Sequence, residues 1–176
     1  MGAKLVTAEI AEIDPAQVSG GPLITGYGYW NALRGMRPHP RRDELNPRHI
    51  SGLLGYMTLV KVIGDGADFE YRIVGDVVVQ AFHVPIQHRR FSEIAKEAPE
   101  LIYSTMPLFR DVVADSKPRA WRQHTGRDAT HVVFTDSEVL LLPLGDQNVE
   151  YVLGFTVHHA TVSAAKSLHT RLRPAL

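Results

Sequence analysis

No cysteine occurs among the 176 residues, which excludes disulfides, thiolate nucleophiles, cysteine-ligated zinc or iron–sulfur centres and a cysteinyl-flavin adduct. A reducing, cytoplasmic compartment fits that composition. Net charge is absent too: 19 Lys and Arg stand against 19 Asp and Glu, so no global field draws in nucleic acid or an anionic membrane. No apolar run approaches the ~20 residues of a membrane span, and residues 1–20 lack the hydrophobic core of a signal peptide. Missing as well are Gly-x-Ser-x-Gly, the elbow that exposes a nucleophilic serine, and His-Glu-x-x-His, the zinc-binding helix signature. Gly64-Asp65-Gly66 is followed by no lysine and reads as a hairpin turn, not a phosphate cradle.

What is present is hydrophobic alternation. Phe69, Tyr71 and Ile73 fall on one face of a strand and Glu70, Arg72 and Val74 on the other, until Gly75 permits a sharp exit. Asp76 is placed to cap a helix starting at residue 77. Residues 56–63 form a strand before this one, and the intervening glycine-rich turn makes the two an antiparallel hairpin. A helical region follows, over 77–82, 91–94 and 99–115, the last carrying Pro107, which predicts a kink. Strand-like sequence resumes over 119–125 and 132–142, where Pro143 marks an end or a one-sided pairing, and a final strand alternates through 149–157. Two strands, several helices and three strands describe one α+β domain with an antiparallel sheet.

The ends read less firmly. Residues 1–26 form an N-terminal extension, of which 1–21 are weakly ordered with a short helix through 8–12; residues 27–33 form an aromatic helix whose Tyr29, Trp30 and Leu33 seal one sheet surface. Arg34, Arg37, Arg41 and Arg42 make a basic, proline-pinned connection, which Asp43 and Glu44 argue is a solvated loop and not a phosphate site. Asn46-Pro47 opens a short docking helix that Gly55 ends. The domain proper is 27–159, and 160–176 is a tail with a terminal helix over 161–173.

The order of these elements resembles a PAS domain, and in particular a bacterial single-PAS family. The likeness rests on Tyr29-Trp30, Leu33-Arg34-Gly35, Pro40 with Arg42, Asn46-Pro47, the run from Phe69 to Gly75, and Leu141-Leu142-Pro143-Leu144, from residue 27 to 158. The resemblance implies five strands in the order 2-1-5-4-3, helices covering one face, and a sensory or regulatory module that works through protein contacts. The family's glycine-containing turn after the first covering helix is replaced here, with His83 and His88 at the glycine positions and Pro85 at the aspartate. Without those glycines the turn is expected to take another path.

A small ligand is therefore expected between the sheet and the connecting helices, lined by Tyr71, Ile73, Phe82, His83, Ile86, His88, Phe91, Leu101, Met106, Leu141 and Phe155. Its identity is open. His83 and His88 occupy a connection where a haem ligand would sit, but the resemblance gives haem no support. His124, His131 and His158 are the one conceivable metal cluster; scattered surface histidines are preferred, and no metal is expected. No catalytic residue is assigned, and the protein is read as non-enzymatic. The rival reading is a small α+β enzyme with an apolar cavity, using Asp76, Glu138 or a histidine as general base on a lipophilic substrate. Arg72 is expected to hold Glu70 or Glu138. A homodimer through the N-terminal region is expected, because the Tyr29-Trp30-Leu33 group and the outer sheet face leave apolar surface that nothing else covers. A signalling protein is the other partner class.

Overall fold

The structure, a computed structural model, describes residues 9–82, 84–124 and 136–159. Six strands form one antiparallel sheet: β1 (Glu9–Ile13), β2 (Met57–Ile63), β3 (Asp68–Val74), β4 (Arg119–His124), β5 (Asp136–Leu144) and β6 (Tyr151–His159). Their order across the sheet is β1-β4-β5-β6-β2-β3, so the expected five-stranded sheet is corrected to six. The added strand is β1, read from sequence as a weak helix. It is ordered by pairing with β4 from Glu9 opposite His124 to Ile13 opposite Ala120, a long-range contact that local periodicity cannot announce. The five later strands lie in the order β3-β2-β6-β5-β4.

Helices cover both faces, not one. On the inner face sit α2 (Asp76–Val79), α3 (Phe91–Ile94) and α4 (Pro99–Asp115), packed on Val60, Phe69, Tyr71, Trp121, Leu141 and Val152 of the sheet. On the outer face sits α1 (Gly21–Arg34), whose Leu23 and Trp30 pack with Leu140, Leu142, Leu153, Phe155 and Val157. This helix is twice the length expected and runs across the boundary drawn at residue 26. Gly20-Gly21-Pro22 begins it, because proline in the first helical turn loses no hydrogen bond. Gly26 is where α1 approaches the sheet most closely; a Cβ there would lie 2.5 Å from the Phe155 ring. Trp30 anchors the other end, its indole N–H donating to the Pro143 carbonyl at 2.9 Å. The apolar outer face is thus covered by the chain itself, which removes the uncovered surface on which the expected N-terminal dimer rested.

Two local corrections follow from backbone geometry. The register between β2 and β3 shifts between Leu59 and Val60, so that Tyr71 faces Val60 while Ile73 faces Leu59 and Arg72 is the extra residue. The bulge breaks the alternation: Val74 joins the core, and Ile73 is left 39% exposed. The helix after it starts at Asp76 itself, with Gly75 as N-cap and no side-chain cap, so Asp76 does not cap from outside. Gly75 is required by proximity, since a Cβ would stand 2.3 Å from the Leu54 and Gly55 carbonyl oxygens. The expected docking helix at Asn46 is instead a 3-10 segment at Ser51–Tyr56, and Gly55 lies inside it.

Pro143 stays within β5. It pairs with Val152 of β6, and β4 has already ended opposite Leu141, so its missing N–H leaves no ladder bond unmade on that side. The basic connection is internally satisfied: Arg37 holds Glu44 through both terminal nitrogens at 2.9 and 2.8 Å, Arg41 pairs with Asp43, and Arg34 and Arg42 lie over the Trp30 and Tyr151 rings. Glu44 is brought down to about 2, chiefly by its Arg37 bond. His39, in the same connection, is buried with Nδ1 3.0 Å from the Gly145 carbonyl, pinning this segment to the β5–β6 turn. The expected turn at 126–128 and the helix at 161–173 lie outside the described residues. No helix among the described residues is long and apolar enough to cross a membrane.

Candidate functional site

The inner layer is built around Phe91. Its ring, fully buried, lies 5.3 Å from Phe69, 5.0 Å from Tyr71 and 5.2 Å from Phe109, with Phe69 and Phe109 5.4 Å apart. Tilted and edge-on contacts of this kind add to simple burial. Phe91 is positioned by a short, well-capped helix: Asp68 accepts from the Ser92 N–H and hydroxyl, and Glu93 folds back to the Arg90 N–H at 2.9 Å. The chain before it, residues 84–90, reaches back to the free edge of β3, where the Tyr71 N–H donates to the Arg89 carbonyl and the His88 N–H to the Tyr71 carbonyl. Arg89 ties that segment down by bonding the Pro85 carbonyl and Glu97.

Of the residues expected to line a ligand site, Tyr71, Ile86, Phe91 and Leu141 are buried in this layer, and Phe82, Leu101 and Met106 pack against it half-buried. Two do not belong. Phe155 alternates to the outer face and packs under α1, because β6 is buried on both sides and its neighbours Val152 and Leu153 point opposite ways. Ile73 is turned outward by the β3 bulge. His88 is exposed beside the layer, and His83 lies outside the described residues. His88 has φ of 61°, so this imidazole-bearing residue adopts the left-handed conformation that glycine reaches most easily. Sequence reasoning missed Phe69, Trp121, Ile94 and Phe109 as lining residues. Phe69 and Phe109 were visible as members of apolar stripes, but nothing local said that those stripes meet on one ring.

Polar groups in this layer are few. The Tyr71 side chain is 3% exposed, and burial alone acts on its hydroxyl, pushing it above the ordinary phenol range. No hydrogen bond to that hydroxyl is made among the described residues. Thr58, also buried, faces Gly154, where a Cβ would come within 2.4 Å of its hydroxyl. The buried ionisable groups elsewhere are His39 at the β5–β6 turn and Glu138.

Glu138 belongs to the outer face. Its Oε2 accepts the N–H groups of Ser19 at 2.8 Å and Gly20 at 3.1 Å, and its Oε1 accepts the Ser19 hydroxyl at 2.8 Å and Arg122 Nε at 2.7 Å. The carboxylate therefore caps α1, whose own N-cap, Gly20, has no side chain to do so. Burial would raise its titration point, but the Arg122 bond, then those of Ser19 and Gly20, outweigh it and bring it down to about 2. A carboxylate so fully bonded is a poor general base at neutral pH. Asp76 is exposed, with its carboxylate beside Gly55, and no His, Asp or Glu grouping among the described residues can hold a metal. Of the three histidines weighed as a metal cluster, His131 lies outside the described residues, and His158 sits opposite Ser137, with burial lowering its pKa. Arg72 holds Glu70 at 2.6 Å near the exposed β3 edge, and Glu138 is held by Arg122 instead.

No curated protein matches the chain. The family model for the PAS domain matches residues 21–157, from the first residue of α1 to Val157, the last core residue of β6, and across both layers described above. This chain belongs to the PAS domain family.

Proposed function

We propose that the protein is a non-enzymatic sensory or regulatory module that takes a small, largely apolar molecule into the inner layer, against the Phe69, Phe91 and Phe109 rings. Family membership supports the regulatory role in general. The observation that supports the ligand reading is Tyr71, whose side chain is buried among the aromatic rings of the inner layer and whose hydroxyl makes no hydrogen bond among the described residues. A ligand acceptor would give that hydroxyl a hydrogen-bond partner inside the layer. Half-buried Phe82, Leu101 and Met106 are the side chains that would yield to admit it.

Native mass spectrometry of freshly purified full-length protein tests this. A retained molecule is expected, with Tyr71→Phe lowering its affinity about tenfold, roughly 1.4 kcal/mol, at unchanged or raised stability of the empty protein. A protein that carries no small molecule from cell extract, or whose Tyr71→Phe variant retains one as well, overturns the reading. Output then passes through protein contacts, with a second copy of the chain as the first partner to test. Ile24, 53% exposed on the outward side of α1, is the apolar residue that N-terminal pairing would bury. Sedimentation of the wild type and of Ile24→Glu separates dimer from monomer.

A further inference from the structure

The two edges of the sheet are treated differently. Along β3 the chain covers its own edge: the Tyr71 N–H donates to the Arg89 carbonyl, the His88 N–H donates to the Tyr71 carbonyl, and Glu70 bridges to Arg90. At β1 no segment among the described residues pairs with the side turned away from β4, and Ile10, Ala11 and Glu12 are exposed. Such an edge is a template for another strand, and neither proline, lysine nor glycine blunts it between Glu9 and Ile13.

The backbone groups on offer follow from the ladder. Hydrogen-bonded pairs alternate along antiparallel strands, and the Val62 N–H, donating to the Glu150 carbonyl, sets the phase between β2 and β6. Carried through the unbroken registers of β6, β5 and β4, that phase turns Ala11 and Ile13 towards β4 and leaves the N–H and C=O of Ile10 and Glu12 on the open side. Pro143 is in step with it, its missing N–H falling on the side away from β6.

We infer that this edge docks a second copy of the chain, β1 against β1, antiparallel about a two-fold axis at Ala11. In that register Ile10 of each copy exchanges its backbone bonds with Glu12 of the other, and each glutamate stands opposite an isoleucine. The register that sets Glu12 opposite Glu12 brings like charges together, and the one that sets Ile10 opposite Ile10 overlaps the strands only from Glu9 to Ala11. Ala11 meets Ala11 in a non-hydrogen-bonded pair, where side chains come closest and a methyl group fits. Glu12 is no obstacle, since Arg119 holds its carboxylate at 2.5 Å. With one open edge on each copy the assembly closes at two. The contact rests on the regulatory reading above for its purpose and not for its geometry.

Sedimentation of the full-length protein from about 5 to 500 µM tests it. A five-residue strand buries less than the standard interface of about 800 Å² per partner, so a reversible dimer with a dissociation constant of about 10–100 µM is expected. Ile10→Pro removes an outward N–H that β4 does not use, and Ala11→Lys sets like charges across the axis. Each should weaken the dimer at least tenfold while leaving the circular dichroism of the monomer unchanged. Because the chain has no cysteine, Ala11→Cys carries a single thiol, which a mild oxidant should cross-link between copies, whereas Ala16→Cys, also exposed, should stay monomeric on a denaturing gel. A wild type that is monomeric at about 500 µM, a dimer that Ile10→Pro leaves intact, or equal cross-linking of the two thiol variants would each overturn the inference. A dimer lost in Ile24→Glu and kept in Ile10→Pro would overturn it while leaving the regulatory reading in place. Tyr71→Phe should not alter the dimer, which keeps a failure here separate from a failure of the inner-layer reading.

Discussion

Replacing Glu138 with glutamine removes a charge and little else, and the structure fixes what that should do. Oε2 accepts two backbone N–H groups, so the glutamine carbonyl would take that place and its amide nitrogen would face Arg122 Nε, donor against donor. The displacement of the Glu138 titration point from 4.5 to about 2 corresponds to about 3 kcal/mol in favour of the ionised folded state. That value is an upper figure for the glutamine variant, because Arg122 is half-exposed and can turn to water. For a protein of this size it amounts to a melting temperature lower by about 6–12 °C at pH 7.

The pH dependence distinguishes this account from a steric one. A carboxylate whose folded-state titration point is depressed contributes fully above the unfolded value of 4.5 and loses its contribution as pH falls towards about 2. The gap between wild type and Glu138→Gln should therefore shrink from about 3 kcal/mol at pH 7 to about 1.5 kcal/mol at pH 3. Urea unfolding followed by circular dichroism at both pH values measures it. Hydrogen exchange should show faster loss of protection at the Ser19 and Gly20 amides than at Val60 or Leu153 in the sheet. A gap that is the same at pH 7 and pH 3, or absent at both, would refute the reasoning.

Truncating the centre of the inner layer should be costlier: Phe91→Ala removes a fully buried ring with three aromatic neighbours and should destabilise by about 3–5 kcal/mol in the same unfolding assay. Gly26→Ala should unseat α1 from Phe155, seen as increased proteolysis within residues 21–34, whereas Gly28→Ala, with open space around it, should be neutral or stabilising by thermal melt. At His88, held at φ of 61°, glycine should be tolerated within about 1 kcal/mol and valine should cost clearly more, because a β-branched residue fits the left-handed region poorly. Arg72→Ala should cost less than about 1 kcal/mol by thermal melt, since its pair with Glu70 is half-exposed.

Much of the sheet was legible locally. Strands β2 to β6 alternate or run apolar, and the Gly64-Asp65-Gly66 turn joins the first two as a hairpin, because a period of two and a glycine turn are encoded within ten residues. The helix α4 was bounded by Pro99 and Asp115 for the same reason. Harder to see were β1 and the true length of α1. The sequence Glu9 to Ile13 alternates weakly, and a strand of five residues acquires its identity from β4 and from the Arg119 ion pair with Glu12 at 2.5 Å. Tyr71, Ile86, Phe91 and Leu141, expected on the inner side from apolar spacing, are buried together in the inner layer. Phe155 and Ile73 were misplaced because spacing tells which residues share a face of one strand but not which face a neighbouring helix will occupy, and it cannot register a bulge.

Sequence by itself determined the class of chain: one antiparallel α+β domain, free of thiol chemistry, carrying the ordered motifs of the PAS family. Those are properties of composition and short-range pattern. Only the tertiary structure decided that both faces of the sheet are covered, that Glu138 is bonded by Ser19, Gly20 and Arg122, and that Tyr71 lies in a buried aromatic layer. Each of these depends on residues more than twenty positions apart, such as Glu138 with Ser19 or Phe69 with Phe91. Burial and pairing at that range set the electrostatics of a group, and no local window of sequence contains them.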